Sequence, residues 1–397
     1  MNKILFITTH NLATNPRLVK EIQLAVSLNY KVSVICFEFD NWSKQLNEEI
    51  KSRFSNIEIY CIDAGRKHFF SWLLSVLEEK VYRFLDKYFQ LSDANLSQAV
   101  SRRSNFIINE IKKIKEADLV IGHNPGAIYP SIYAAQRFNC KAGFDMEDYH
   151  PGEGKYNHLQ KTTLSLLKKL LPKINYISFA SVSILNEFKN SIGNLNSINM
   201  LVINNSFPQN EFIEPHHINN EKLQLVWLSQ HIDKGRGLEQ IIPIVHKYSD
   251  KMNLTLFGNY NSNFKKDFID GKNGINLGGV FSQKVLHQQM SNFDIGLAIE
   301  PGKDLNNELA LSNKVFAYLQ AGLFVLATDT IEQKRFMDDV KDAGVILKKN
   351  FENIEEVLLE LHANIDQIRN NKLNRFQNSK SISWEMSCSN LGLIWTK

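Results

Sequence analysis

Apolar runs without polar alternation recur along this chain, each followed by a polar loop and then by apolar residues spaced three and four apart. KILFITT (3–9), KVSVICF (31–37), IEIYCI (57–62), DLVIGHN (118–124) and KAGFDM (141–146) predict strands buried on both faces, as in a parallel sheet. Between the first two, Leu18, Ile22, Ala25 and Val26 share one helical face, which completes a βαβ unit. A long helical region is expected from about His68 to Lys115, a helix around 127–137, and short strands near YISFAS and MLVINNS. The rhythm then breaks at 207–221, FPQNEFIEPHHINNE, which is proline- and asparagine-rich and reads as a linker. It restarts with strands in LQLVWLS, NLTLFGN, INLGGV, DIGLAI, FVLAT and GVILKK, separated by helical segments. The pattern predicts an α/β protein with two Rossmann-like, doubly wound parallel-sheet domains facing a cleft. The expected division is 1–206, a linker at 207–221, a second domain at 222–375, and a closing helix within 376–397.

The richest segment runs from Asp294 to Thr330: strand, polar loop, short helix, glycine turn, strand. Ser312 is expected to cap a helix whose Val315, Phe316 and Leu319 lie on one face and which Gly322 ends. Asn313 and Lys314 then stand at a helix start beyond a strand's carboxyl end. There the backbone N–H groups, the helix dipole and the lysine all favour an anion.

Composition narrows the classes. Of the 397 residues, 43% are hydrophobic and 22% charged, which suits large globular cores. Four cysteines, far apart and without a CxxC, suit reduced thiols in a cytoplasmic protein better than disulfides or zinc. No uninterrupted apolar run spans a bilayer, and KILFITT is too strand-like for a signal peptide. The first 205 residues carry 25 basic against 19 acidic side chains, and the remainder 21 against 23. So modest an excess, with no recognised motif, argues against nucleic acid and for a phosphate-bearing partner or an anionic membrane. The first βα turn, THNLATNPRL, has no glycine, so a dinucleotide fingerprint is absent.

The order of NPRLVKEIQLAVSLNYKVSVIC, IGHNPG, FDMEDYHPGE, VINNSFP, WLSQHIDKGRGLE, SNKVFAYLQAGLFVLATD and the closing SWE resembles the GT-B glycosyltransferases, and among them glycosyltransferase family 4. The resemblance spans essentially the whole chain. It implies a nucleotide-diphosphate sugar bound by the second domain and a glycan or lipid-linked acceptor held by the first, with retention of configuration. Arg236 stands where the family usually has a lysine for the diphosphate, and Lys314 at the helix start above. Together they would do the work of a divalent metal. No DxD motif is present, so neither a metal nor another cofactor is expected. Ser312, Asn313, Glu308 and Val280, with Phe281 beside it, complete the expected donor site.

His123 in GHNPG is expected near the reacting face of the sugar, unless it serves as a core or capping residue. Asp145, Glu147, Asp148 and His150 cluster after the next strand. Any one of them could bind the acceptor or take its proton. Asn15 and Arg17 could contact a phosphate or acceptor sugar, although Arg17 could equally pair with Glu21 at i,i+4. The chain also departs from the family. Ala317 replaces the glutamate that binds the ribose, Leu309 falls at its partner position with Glu308 beside it, and Gln230 stands for a first-turn arginine. These departures keep open a non-catalytic homologue, and the fold also admits a nucleotide-sugar epimerase.

Residues 67–91 and 161–173 combine apolar stripes with basic residues, either as ordinary packed helices or as interfacial helices. The second reading predicts a peripheral protein on the inner face of the cell membrane that builds a cell-surface polysaccharide or glycolipid.

Overall fold

A computed structural model of the chain describes residues 2–65, 69–155, 157–193, 195, 198–216 and 220–396. It divides into two compact units, Met1–Ile203 with Asn390–Lys397, and Asn204–Ser389. The segment expected as a linker, 207–221, falls in the second unit, apart from 217–219, which lie outside the described residues.

The first unit is built on seven strands: β1 (Lys3–Thr8), β2 (Lys31–Glu38), β3 (Glu58–Asp63), β4 (Leu119–His123), β5 (Lys141–Met146), β6 (Tyr176–Phe179) and β7 (Asn199–Val202). They pair in parallel in the order β3-β2-β1-β4-β5-β6-β7. The central strands are apolar at almost every position because helices cover both faces. Their core includes Phe6, Ile35, Ile121, Phe144 and Phe179, all fully or nearly fully buried.

Three helices, Phe69–Leu85, Asp93–Val100 and Ser104–Ile111, make up the expected helical region among the described residues. His68 lies outside the described residues. The break is local chemistry: Ser92 accepts the Asn95 N–H at 3.2 Å and caps a new helix, and Ser101 is extended. The helix Ser389–Trp395 belongs to this unit, where the Trp395 indole N–H donates to Tyr176 Oη at 2.9 Å. The Trp395 ring meets Phe6 and Tyr30 edge-on.

The second unit has six strands: β8 (Leu223–Ile232), β9 (Met252–Tyr260), β10 (Ile275–Gly279), β11 (Ile295–Ala298), β12 (Phe324–Thr328) and β13 (Gly344–Leu347). They too are all parallel, in the order β10-β9-β8-β11-β12-β13. One layer of core lies beneath Trp227, Ile241, Leu256 and Leu358, and the other beneath Val226, Phe316, Tyr318 and Val325. The α/β class and both parallel sheets are as the apolar pattern predicts.

No helix among the described residues is long and apolar enough to cross a membrane. All four cysteines are free thiols.

Candidate functional site

Each sheet reverses direction once, and ligands of open parallel sheets bind outside the strand carboxyl ends at such a reversal. In the second unit the reversal lies between β8 and β11, so the loops leaving those two strands frame the candidate site. The loop after β8 carries Lys234 to Gly237. Gly235 and Gly237 have φ of 73° and 81°, and a Cβ on Gly237 would lie 2.6 Å from the Phe351 ring. Glycine is therefore required where the helix Leu238–Lys247 begins. The Gly235 N–H donates to the Glu239 carboxylate, which ties the turn to the first turn of that helix. Arg236 stands half-buried between the two glycines and makes no hydrogen bond or ion pair with the described residues.

The loop after β11 begins with Glu300. Its backbone N–H donates to Thr328 Oγ1 at 2.8 Å, and Thr328 Oγ1 donates back to its carbonyl at 2.7 Å. The carboxylate so fixed accepts Ser312 Oγ at 3.0 Å and Lys314 Nζ at 2.5 Å. Burial alone would raise the Glu300 pKa; Lys314, Ser312 and the field of Arg236 outweigh it and hold the carboxyl below its usual range. The Lys314 ammonium also stands 5.7 Å from the centroid of the buried Trp227 ring. One cation thus pairs with a carboxylate at the sheet reversal, and a second, Arg236, adds its field there, beside the start of the helix Asn313–Gln320.

Ser312 holds the N-cap position of that helix, but its hydroxyl makes no capping bond, contrary to expectation. Its oxygen is turned toward Glu300. Asn313 is exposed at the first helical position. Glu308 pairs with Lys349 at 2.6 Å and accepts the Ile331 N–H at 3.3 Å. Val280 and Phe281 are exposed beyond β10, an edge strand separated from β8 by β9. Leu309 and Ala317 are both buried, so neither position offers a carboxylate.

In the first unit the reversal lies between β1 and β4. Thr8 donates to Asn124 Oδ1 at 2.8 Å and joins the two loops leaving those strands. Asn15 is buried and accepts the Leu18 N–H at 3.1 Å, so its side chain is committed to capping the helix Pro16–Ser27. Arg17 is fully buried, which corrects the expectation of a phosphate or sugar contact. Its Nη2 donates to Asp145 Oδ1 at 2.9 Å, its Nε lies 3.4 Å from Glu21 Oε1, and its Nη1 donates to the Ile203 carbonyl.

His123 completes the cluster, with Nε2 at 3.3 Å from Glu21 Oε2 and Nδ1 at 3.6 Å from Asp145 Oδ2. Ser178 Oγ donates to Asp145 Oδ1 at 2.6 Å. Burial would lower the His123 pKa, but Glu21 and Asp145, with Glu147 behind them, outweigh it and raise it. Arg17 thus pairs with both carboxylates, and they in turn favour the protonated form of His123.

The FDMEDYH segment splits by environment. Asp145 points into the buried cluster, whereas Glu147 and Asp148 are half-buried beyond it. Burial, then Asp148 and Asp145, push Glu147 up to about 7, the range in which a carboxyl can both take and give a proton near neutrality. His150 Nδ1 pairs with Glu153 at 2.5 Å; that partner, with Asp148 and Glu147, overcomes burial and raises its pKa. Sequence reasoning missed Glu300 and Ser178. The only signal for Glu300 was its place as the first charge after a buried strand.

No protein-family model and no curated protein matches the chain. Solved structures do. The Anabaena protein HepE in complex with UDP and glucose superposes with a TM-score of 0.67 at 11% identity, over 100% of both chains. Sucrose-phosphate synthase from Thermosynechococcus elongatus gives 0.67 at 10% identity, over 100% of this chain and 98% of that one. TarM gives 0.65 at 10% identity, over 100% and 99%. At such identities the likeness speaks for architecture, and over its whole length the chain has the GT-B fold of these glycosyltransferases.

Proposed function

We propose that this protein transfers a sugar from a nucleoside-diphosphate sugar to a hydroxyl acceptor. The observation that carries the reading is the pair of cations at the reversal of the second sheet. Lys314 is held by a single carboxylate, and half-buried Arg236 has no partner among the described residues. Similar architectures bind the corresponding ligands: HepE is known with UDP and with UDP-glucose. In the reaction the bond from the anomeric carbon to the diphosphate oxygen breaks and a bond to the acceptor oxygen forms. The acceptor proton leaves, and the departing diphosphate takes the electron pair. Lys314, Arg236 and the N–H groups at Asn313 supply positive charge where that anion develops, a role that needs no metal ion. Glu147, tuned to about 7, is the group in the first unit suited to handle the acceptor proton.

The acceptor side favours a membrane. On the helix Phe69–Leu85, Phe70, Leu74, Leu77, Val81 and Phe84 are all exposed and share one face. The helix is tied down from its other side: Arg83 donates to the Ala99 carbonyl, and the His158 ring lies 3.0 Å from the Arg83 carbonyl. On and just after the helix His158–Leu170, Lys161, Lys168 and Lys173 are exposed too, the last of them paired with Asp93. An apolar stripe beside lysines fits the surface of an anionic bilayer. Of the two expected interfacial segments, Lys67 and His68 lie outside the described residues. We read the protein as a retaining, metal-independent enzyme on the cytoplasmic membrane face that builds a glycolipid or surface polysaccharide.

The test is a thermal-shift and calorimetric series with UDP, GDP, ADP and their glucose conjugates. UDP binding that falls at least about tenfold in Lys314→Ala supports the donor site. Absence of binding to every nucleotide ends the reading. Binding without hydrolysis or transfer would instead mark a non-catalytic homologue.

A further inference from the structure

Two of the four cysteines meet at the edge of the first sheet. β3 is the outermost strand, and its register on β2 sets Cys61 directly opposite Cys36. Side chains at paired positions of neighbouring parallel strands leave the same face, and the two sulfurs come within 3.6 Å. Neighbouring strands lie about 4.8 Å apart, inside the roughly 4.4–6.8 Å that a disulfide requires between Cα atoms. Nothing in the sequence announces the pair, because the fold, not a CxxC spacing, brings the thiols together.

Their surroundings are unequal. Cys36 is fully buried, whereas Cys61 is half-buried on a strand with a neighbour on one side only. Lys51, from the helix Lys44–Ser52, reaches this face of the sheet, where it pairs with Glu38 at 2.5 Å and with Glu48 at 3.0 Å. The hydrogen bond from the Cys36 thiol, then the charge of Lys51, outweigh burial and Glu38 and lower the Cys61 pKa. That same bond, with burial, raises Cys36 well above its ordinary value. The more accessible sulfur therefore carries the thiolate and the buried one keeps its proton. Cys140 differs: burial pushes its thiol up to about 11. A reactive thiolate beside a second thiol is the arrangement that thiol–disulfide exchange uses.

We propose that Cys36 and Cys61 are a redox-active dithiol, which a low-molecular-weight disulfide such as glutathione disulfide converts to a bond fastening β3 to β2. The Cys61 thiolate attacks one sulfur of the small disulfide. A mixed disulfide forms, the original S–S bond breaks, and one glutathione thiolate leaves with the electron pair. Cys36 then gives up its proton and attacks the Cys61 sulfur, expelling the second glutathione thiolate. The protein thiols lose two electrons and two protons, and the small disulfide is reduced to two thiols. The edge strand, otherwise held by hydrogen bonds to β2, gains a covalent link that closes a loop around the helix Lys44–Ser52.

The test equilibrates the full chain with glutathione disulfide, traps remaining thiols with N-ethylmaleimide in guanidinium, and reads intact and peptide masses. Of the four thiols, only Cys140 and Cys388 should then be trapped, with a cross-linked Cys36–Cys61 peptide in place of the others, and dithiothreitol should restore all four. Cys36→Ser should stop at a mixed disulfide, a gain of one glutathione on Cys61. Cys61→Ser should take up glutathione at least about fivefold more slowly than Cys36→Ser. Lys51→Met should slow wild-type oxidation at least about threefold near neutral pH, and the gap should close by about pH 10, where the thiolate forms unaided. The oxidised chain should melt at a higher temperature than the reduced one. Four trapped thiols after oxidation, or a cross-link through Cys140 or Cys388, overturns the proposal. Equal rates in Lys51→Met overturn the part given to that lysine, and an unchanged melting temperature overturns the fastening of β3.

Discussion

The two sheet reversals make an instructive pair, because each gathers charge at the same topological position and uses it differently. In the first unit Arg17, Glu21, His123 and Asp145 are fully or almost fully buried and compensate one another. In the second, Lys314 pairs with a single carboxylate, and Arg236 has no partner among the described residues and retains partial exposure. A closed cluster has fixed its charges to hold its own loops in place. An open one keeps charge for a ligand. The difference predicts that substitutions in the first reversal act on stability and those in the second on binding.

The largest expected effect tests the closed cluster. Arg17→Met removes the guanidinium that pairs with both buried carboxylates and should cost about 3–5 kcal/mol in urea unfolding of the first unit. A loss under about 1 kcal/mol would show that water reaches these groups and that the contrast is false. Lys314→Ala should weaken UDP binding by about 1.5–3 kcal/mol, the usual worth of a hydrogen bond to a charged group. Its cost in unfolding should be smaller than that of Arg17→Met, because Glu300 keeps Ser312 and part of its exposure. Reversal of that pattern, stability lost and binding kept, would make the second reversal structural as well.

A pH series sharpens the comparison. His123 and Glu147 both have pKa values raised by folding, so their contributions are complete below 6.5 and about 4.5 and are lost as pH rises through the folded values. His10 runs the other way: burial and Arg103 depress it to about 4, so its contribution grows between about 4 and 6.5. Above pH 6.5 His123 and Glu147, joined by His150, whose pKa is likewise raised, give a downward trend to which His10 no longer adds. The unfolding midpoint of the first unit should therefore fall there, and His123→Gln should flatten the fall. A midpoint that rises with pH above 6.5 would refute the assignment. The smallest effect belongs to Asn15→Ala, about 1 kcal/mol from a lost helix cap, with no change in ligand binding. A selective loss of acceptor transfer in that variant would return Asn15 to the site.

The fold was legible because buried parallel strands are written as largely apolar runs, as in the central strands KILFIT, LVIGH, IGLA and FVLAT. The site was legible only where its partners are close in sequence. Arg17 with Glu21 could be paired from their spacing, but Asp145 lies 128 residues beyond Arg17, and nothing local announces that contact. Lys314 at a helix start was visible, whereas its partner Glu300 comes from a separate loop. Ser312 shows the same limit: a capping residue type in a capping position gave its hydroxyl to a carboxylate that only the fold brings near. Aromatic residues in 69–89 were apparent, but which of them face outward follows from the docking of their helix on Asp93–Val100.

The helix Ser389–Trp395 has a consequence for biosynthesis. Phe6, Tyr30 and Tyr176 emerge early from the ribosome, but the indole that covers them is made only after the entire second unit. At about 5–20 residues per second the nascent first unit waits on the order of ten seconds or more with that wall open. That wall therefore closes only after the second unit has been synthesised, and a chaperone that shields aromatic surface should engage it during that interval.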